Sequence, residues 1–219
     1  MSSRESVSIL QPATARELYE LATVAYRLVD VDEAKTGVER WLAAPEAGGT
    51  LLGCWEAENG ELGRLHVLRA FADERQLADE RRRTHISTSP FGAADVVTDL
   101  SQVSYAPFPF LPAVEPGHYG KVYEVRDYHL RPGGLPATLE GWQRAVPERV
   151  RLSPLTIAMY ALDGPARITH IWPYPGLDAR VAIRRESYDR GIWPPPGAPE
   201  QILKATSTIC FPTSFSPLA

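Results

Sequence analysis

The stretch VYEVRDYHLRPGGLPATLEGW, Val122–Trp142, decides how this chain folds. Its first nine residues alternate and are rich in β-formers, so they read as a strand, which Pro132, Gly133 and Gly134 stop. Leu135, Leu139, Trp142 and Val146 then recur at helical spacing, predicting an amphipathic helix that ends near Pro147. Further on, LTIAMYAL and ARITHIWPY flank Asp163-Gly164, a hairpin signal, and predict two paired strands. LDARVAIRRESYDRG predicts a second helix, with Asp178 as its N-cap and Gly191 as its end, and ILKATSTICF a final β-branched strand. The order is βαββαβ, the ferredoxin-like split unit.

Working backwards, the same order recurs. LYELATVAYRL sets Tyr19 and Glu20 opposite Tyr123 and Glu124 at an offset of 104, and RLHVLRAF sets His66 opposite His170 at that same offset. Trp41 of VERWL pairs with Trp142 at 101, which implies a three-residue insertion. Residues 18–29 also fit helical spacing through Leu18, Leu21, Ala25 and Leu28; only the repeat favours a strand there. A hairpin is expected around Asn59-Gly60, a helix over ADERQLADERRRTH and a strand over DVVTDLSQVSYA. The run Arg81–Arg83, set among acids, is expected to be a solvated helix face. The division that follows is an N-terminal extension (1–17), a diverged first repeat (18–106), a proline-rich connector (107–118) and a second repeat (119–219). A sheet with two helices on one face leaves its other face bare. The expected fold is therefore α+β, with two ferredoxin-like βαββαβ units packed sheet to sheet as a barrel in one chain.

Composition narrows the function classes. With 44% hydrophobic and 23% charged residues and a net charge of −4, the chain reads as folded, with no basic excess for nucleic acid or anionic lipid. The only cysteines, Cys54 and Cys210, make no metal spacing and no disulfide scaffold, and are expected to be buried thiols in a reducing compartment. No signal-like segment or membrane-spanning run is present, so a cytoplasmic location is expected. Phosphate-cradling glycine loops and a GxSxG elbow are absent.

The second half resembles the NIPSNAP family of the dimeric α/β barrel superfamily. VYEVRDYHLRPGGLPATLEGW is similar to the family's opening strand and helix, and ITHIWPYPGLDARVAIRRE to its third strand, Tyr-Pro stop and basic second helix; with GIW at Gly191–Trp193 the likeness spans residues 121–212. The first half departs from the pattern, with Ala22 where the Arg stands and Leu68 where the Trp stands. The resemblance implies the barrel fold and little about activity, because the superfamily includes cofactor-free monooxygenases, isomerases, dehydratases, haem enzymes and plain binding proteins.

Strand alternation puts His170, Trp172 and Tyr174 on one face, and Glu124, Arg126 and Tyr128 on one face of the neighbouring strand. Ile171, Thr169 and Val125 are assigned to the helices, so the polar and aromatic set is expected to look into the barrel. On the functional reading Arg126 and His170 polarise a small carbonyl or carboxylate ligand and Tyr128 or Glu124 moves a proton. Trp172 and Tyr174 form an apolar wall, and Glu20 and His66, the first-half counterparts, complete the lining. On the structural reading the Glu-Arg pair locks two strands together and His170 is a hydrogen-bonded core residue. The expected function is binding of a small, partly apolar organic molecule, with catalysis, if any, by cofactor-independent acid–base chemistry of isomerase, cyclase or dehydratase type. No cofactor and no metal are expected, and the chain is expected to be a monomeric pseudo-dimer capable of further association. The alternative is a non-catalytic interaction or scaffold protein with a filled barrel. A cofactor-free monooxygenase, or a haem barrel ligated by His170, is a further alternative.

Overall fold

Both halves run βαββαβ. A computed structural model describes residues 17–219, so the expected N-terminal extension lies, apart from Glu17, outside the described residues. The first half comprises β1 (Leu18–Tyr26), α1 (Val31–Leu42), β2 (Thr50–Asn59), β3 (Arg64–Phe71), α2 (Glu74–Ile86) and β4 (Val97–Pro107). The second comprises β5 (Val122–Leu130), α3 (Leu135–Arg149), β6 (Ile157–Ala161), β7 (Arg167–Tyr174), α4 (Leu177–Asp189) and β8 (Ile202–Pro212). The ambiguous segment after Leu18 is a strand because it is central: β1 pairs with β3 on one side and β4 on the other. Two helix ends differ from expectation. α3 runs through Pro147 to Arg149, and α4 starts after Gly176, so Asp178 lies in its first turn, where its charge suits the helix dipole, and is not the cap.

The eight strands form one closed barrel in the order β1-β3-β2-β8-β5-β7-β6-β4. Each half contributes its strands in the order fourth, first, third, second. The two seams, β2 with β8 and β4 with β6, are the same contact made twice, as a pseudo-twofold axis requires. Closure leaves no free strand edge. No helix among the described residues is long and apolar enough to cross a membrane. Cys54 and Cys210 are both buried and free.

The internal alignment is tighter than the sequence suggested. α1 and α3 superpose their buried positions at an offset of 104, Ala34 with Thr138, Gly37 with Gly141 and Val38 with Trp142, so no three-residue insertion exists and Trp41 is not the counterpart of Trp142. Gly37 and Gly141 confirm the match. A Cβ on either would come within 2.5 or 2.3 Å of a loop carbonyl oxygen, Gly92 or Pro196, and those residues are again 104 apart. The drift falls at the third strands instead. Leu21 pairs with Leu68 and Val125 with Ile171, an offset of 103, so His66 corresponds to Thr169 and His170 to Val67.

That single residue matters because alternate residues face opposite ways. The barrel interior is built from Tyr19, Leu21, Trp55, Leu68, Tyr123, Val125 and Ile171, among others. His170, Trp172 and Tyr174 instead lie between sheet and helices with Trp142 of α3. The expected inward orientation of His170, Trp172, Tyr174, Glu124, Arg126 and Tyr128 is therefore reversed. The cause is physical: both faces of these strands are buried, so alternation says which residues share a face but not which face is the interior. His66 does face the barrel. The interior is asymmetric along its axis: at one end Trp55 and Tyr123 pack with tilted rings 5.2 Å apart, in one buried cluster with Leu218, and at the other it opens into a funnel.

Candidate functional site

Two regions gather chemistry-bearing side chains, one inside the barrel and one beneath the helices. The funnel has a volume of about 600 Å³, with an apolar floor of Leu21, Val103 and Val125 and a polar wall. On that wall Thr169 Oγ1 donates to Asp127 Oδ2 at 2.8 Å and lies 2.9 Å from the Tyr105 hydroxyl. Arg167 Nη1 stands 3.9 Å from Asp127 Oδ2, and His129 Nε2 is 3.5 Å from Oδ1. Burial, against the pull of the Arg167 charge, pushes the Tyr105 phenol up to about 12, so it is a hydrogen-bond donor throughout the physiological range. Across the funnel the pseudo-equivalent pair is Thr23 and His66, with Oγ1 to Nδ1 at 3.1 Å. Burial, reinforced by the Arg64 charge, lowers His66 to about 4, so it is neutral at pH 7. Lys204 and Arg64 stand at the mouth.

The second region contains six of the eight site residues singled out from sequence. Glu124, fully buried, accepts from Arg126 Nη1 at 2.8 Å, Arg180 Nη2 at 2.6 Å and Ser207 Oγ at 2.6 Å, with Arg184 Nη1 4.0 Å from its other oxygen. Burial pushes its pKa up, but the Arg180 hydrogen bond, the Arg126 charge and the Ser207 hydrogen bond together outweigh it and hold the carboxyl at about 2. Arg126 Nε also donates to the Tyr128 hydroxyl at 2.6 Å. Burial, followed by the Arg126 charge, holds His170 well below the usual imidazole range. Its Nδ1 accepts from Trp172 Nε1 at 2.7 Å, which places the ring proton on Nε2, an atom without a partner. Tyr174 OH accepts from Arg149 Nη2 at 3.4 Å, and the Arg149 guanidinium lies 4.3 Å over the Trp172 ring. The void left between these groups is only about 10 Å³.

The other two residues lie apart. Glu20 occupies the position of Glu124 in the first half, where it accepts from Arg69 Nη2 at 2.5 Å, Arg81 Nε at 3.4 Å and Gln102 Nε2 at 3.0 Å. Arg69 also bonds Glu80, and Arg83 bonds Glu80 while covering the Trp41 ring at 3.6 Å. The expected solvated face over Arg81–Arg83 is therefore corrected: Arg82 alone of the three points to solvent, because its neighbours are drawn inward by buried carboxylates. Asp127, Arg167, Arg149, Arg180 and Arg184 were missed from sequence. Arg180 and Arg184 did leave a signal, since a four-residue spacing puts both on one helix face.

Comparison with known proteins agrees with this architecture. The NIPSNAP family model matches twice, over residues 19–105 and 123–217. A NipSnap homolog of Dictyostelium discoideum is 26% identical over 187 residues, covering 83% of this chain and 80% of its own. Among solved structures, an anthrone oxidase-like protein aligns with a TM-score of 0.68 over 92% of this chain and 93% of its own, at 10% identity. A monooxygenase-like protein from Lactobacillus acidophilus aligns with a TM-score of 0.64 over 90% and 93%, also at 10% identity. Those two likenesses concern the fold alone. The family match falls on each βαββαβ unit in turn, and the chain belongs to the NIPSNAP family, with two copies of its domain closing one barrel.

Proposed function

We propose that the protein binds a small organic anion with an apolar portion inside the funnel of the barrel. The observation that carries this reading is the funnel itself, about 600 Å³ with an apolar floor and a polar wall, which is the size and character of small-molecule sites. Arg167 and Lys204 supply positive charge, and the Tyr105 hydroxyl and neutral His66 supply directional hydrogen bonds. If a reaction occurs there, it is cofactor-independent acid–base chemistry of isomerase, cyclase or dehydratase type. Asp127 is then the base and Tyr105 the proton donor, with neutral His66 as a hydrogen-bond partner. A scaffold with a filled barrel suits the packed end around Trp55 but leaves the open end without a role. Two free, buried thiols, pushed up to about 12 by burial, suit a reducing, cytoplasmic compartment.

The test is native mass spectrometry of gently purified protein. A co-purifying mass, lost in Arg167→Met and His66→Phe variants that still fold, is the expected result. Retention of the same mass in both variants would place the ligand elsewhere.

A further inference from the structure

Beyond the funnel, the region beneath α4 has a charge problem. Arg126, Arg149, Arg180 and Arg184 face a single acid, Glu124. Glu124 engages Arg126 and Arg180 directly and reaches Arg184 only at 4.0 Å. Arg149 is 3% exposed and touches no carboxylate among the described residues; its partners there are Ser153, Tyr174 and the Trp172 ring. A buried guanidinium without a counter-charge is costly, because neutral dipoles replace only part of its hydration.

The void of about 10 Å³ lies where that counter-charge is lacking. It is lined by Arg126, Arg149, Arg184, His170, Ser187 and Trp193 with Trp172 and Tyr174, and by no acid. His170, 1% exposed, has its Nε2 donor unpartnered in this same lining. Space of this size holds one water-sized atom. We infer that the second half carries an oxyanion site here: one oxygen of a carboxylate or phosphate group fills the void between Arg149 and His170, and the rest of the ligand leaves past Arg126 and Arg184. Those two arginines form the rim, with side chains 15% and 24% exposed. Guanidinium groups suit the task because they stay charged and present paired donors to oxyanions.

The experiment is thermal melting of the full chain at pH 7 and constant ionic strength, with sodium chloride replaced stepwise by sodium phosphate or, separately, sodium acetate. At least one oxyanion should raise the midpoint by several degrees and saturate, and the stronger of the two identifies the ligand as phosphate-like or carboxylate-like. Arg149→Met and His170→Phe should lose the shift, while Arg82→Ala, which removes an exposed arginine of the first half, should keep it. Should Arg149→Met not fold, Arg184→Gln on the rim should still weaken the shift. Equal midpoints in all three salts, or a shift unchanged in Arg149→Met or Arg184→Gln, would overturn the site.

Discussion

Glu20 and Glu124 occupy equivalent positions on β1 and β5, each buried, and each tied to an arginine of the second helix of its half, Arg81 or Arg180. Each also accepts from the last strand of its half, Glu20 from Gln102 and Glu124 from Ser207. Around this shared anchor the halves have diverged in charge. Around the first-half anchor, Arg69, Arg81 and Arg83 face Glu20, Glu80 and, reaching across from the β6–β7 turn of the second half, Asp163, three against three. In the second, Trp172 takes the place of Arg69 and no second acid appears among the described residues, so four arginines face one glutamate. Keeping the anchor pins helix to sheet in both halves. Leaving one side balanced and the other in surplus separates a closed structural network from one with room for an outside anion.

The widest gap should appear on deleting Arg69. Arg69→Met removes the guanidinium that Glu20 and Glu80 share in the interior and should cost about 3–5 kcal/mol in urea unfolding; a cost below about 1 kcal/mol would dissolve the picture of a balanced structural network.

Acid should probe the second cluster next. Glu124 is held at about 2 against an ordinary 4.5. Its folded pKa is depressed, so it contributes stability above pH 4.5 that is lost as the pH falls toward 2, on the order of 3 kcal/mol. Glu124→Gln should flatten the stability profile across that window, and a variant profile as steep as the wild type would locate the acid sensitivity elsewhere.

Arg149→Met should sharpen the contrast from the other side. Without added anion it removes a buried cation that lacks a carboxylate, and it should shift stability by no more than about 1 kcal/mol in either direction. A loss comparable to that of Arg69→Met would mean the two clusters are structural alike.

The smallest effect belongs to Arg82→Ala. Its exposed pairing with Asp79 should be worth under about 0.5 kcal/mol, whereas Arg83→Ala, which uncovers Trp41 and releases Glu80, should cost measurably more. Equal losses in parallel denaturation curves would return the whole run to a solvated face.

Much of the candidate chemistry was legible as a set. Glu124, Arg126 and Tyr128, and likewise His170 and Trp172, do share faces, because the two-residue period of a strand is fixed by backbone geometry. Their proximity to Arg149 was not legible, since α3 meets β7 through tertiary packing, Trp142 against His170 and Trp172, that no local spacing encodes. Nor was the funnel: Asp127 and Thr169 sit one residue away from the residues that attracted attention, and they face the other way.

The sequence by itself determined the order of elements and the pairing of the second and third strands at Asn59-Gly60 and Asp163-Gly164, which depend on neighbours a few residues apart, and the duplication, which follows from that order recurring. Only the tertiary structure decided which face of each strand became the barrel interior, and with it that His66 lines the funnel while His170 lies beneath a helix. The reason is that both faces are buried, one by helices and the other by the opposite half. Polarity then carries no record of direction; the one-residue difference in register between β1–β3 and β5–β7 sets His66 and His170 on opposite faces, and closure of the two sheets decides which face is inside.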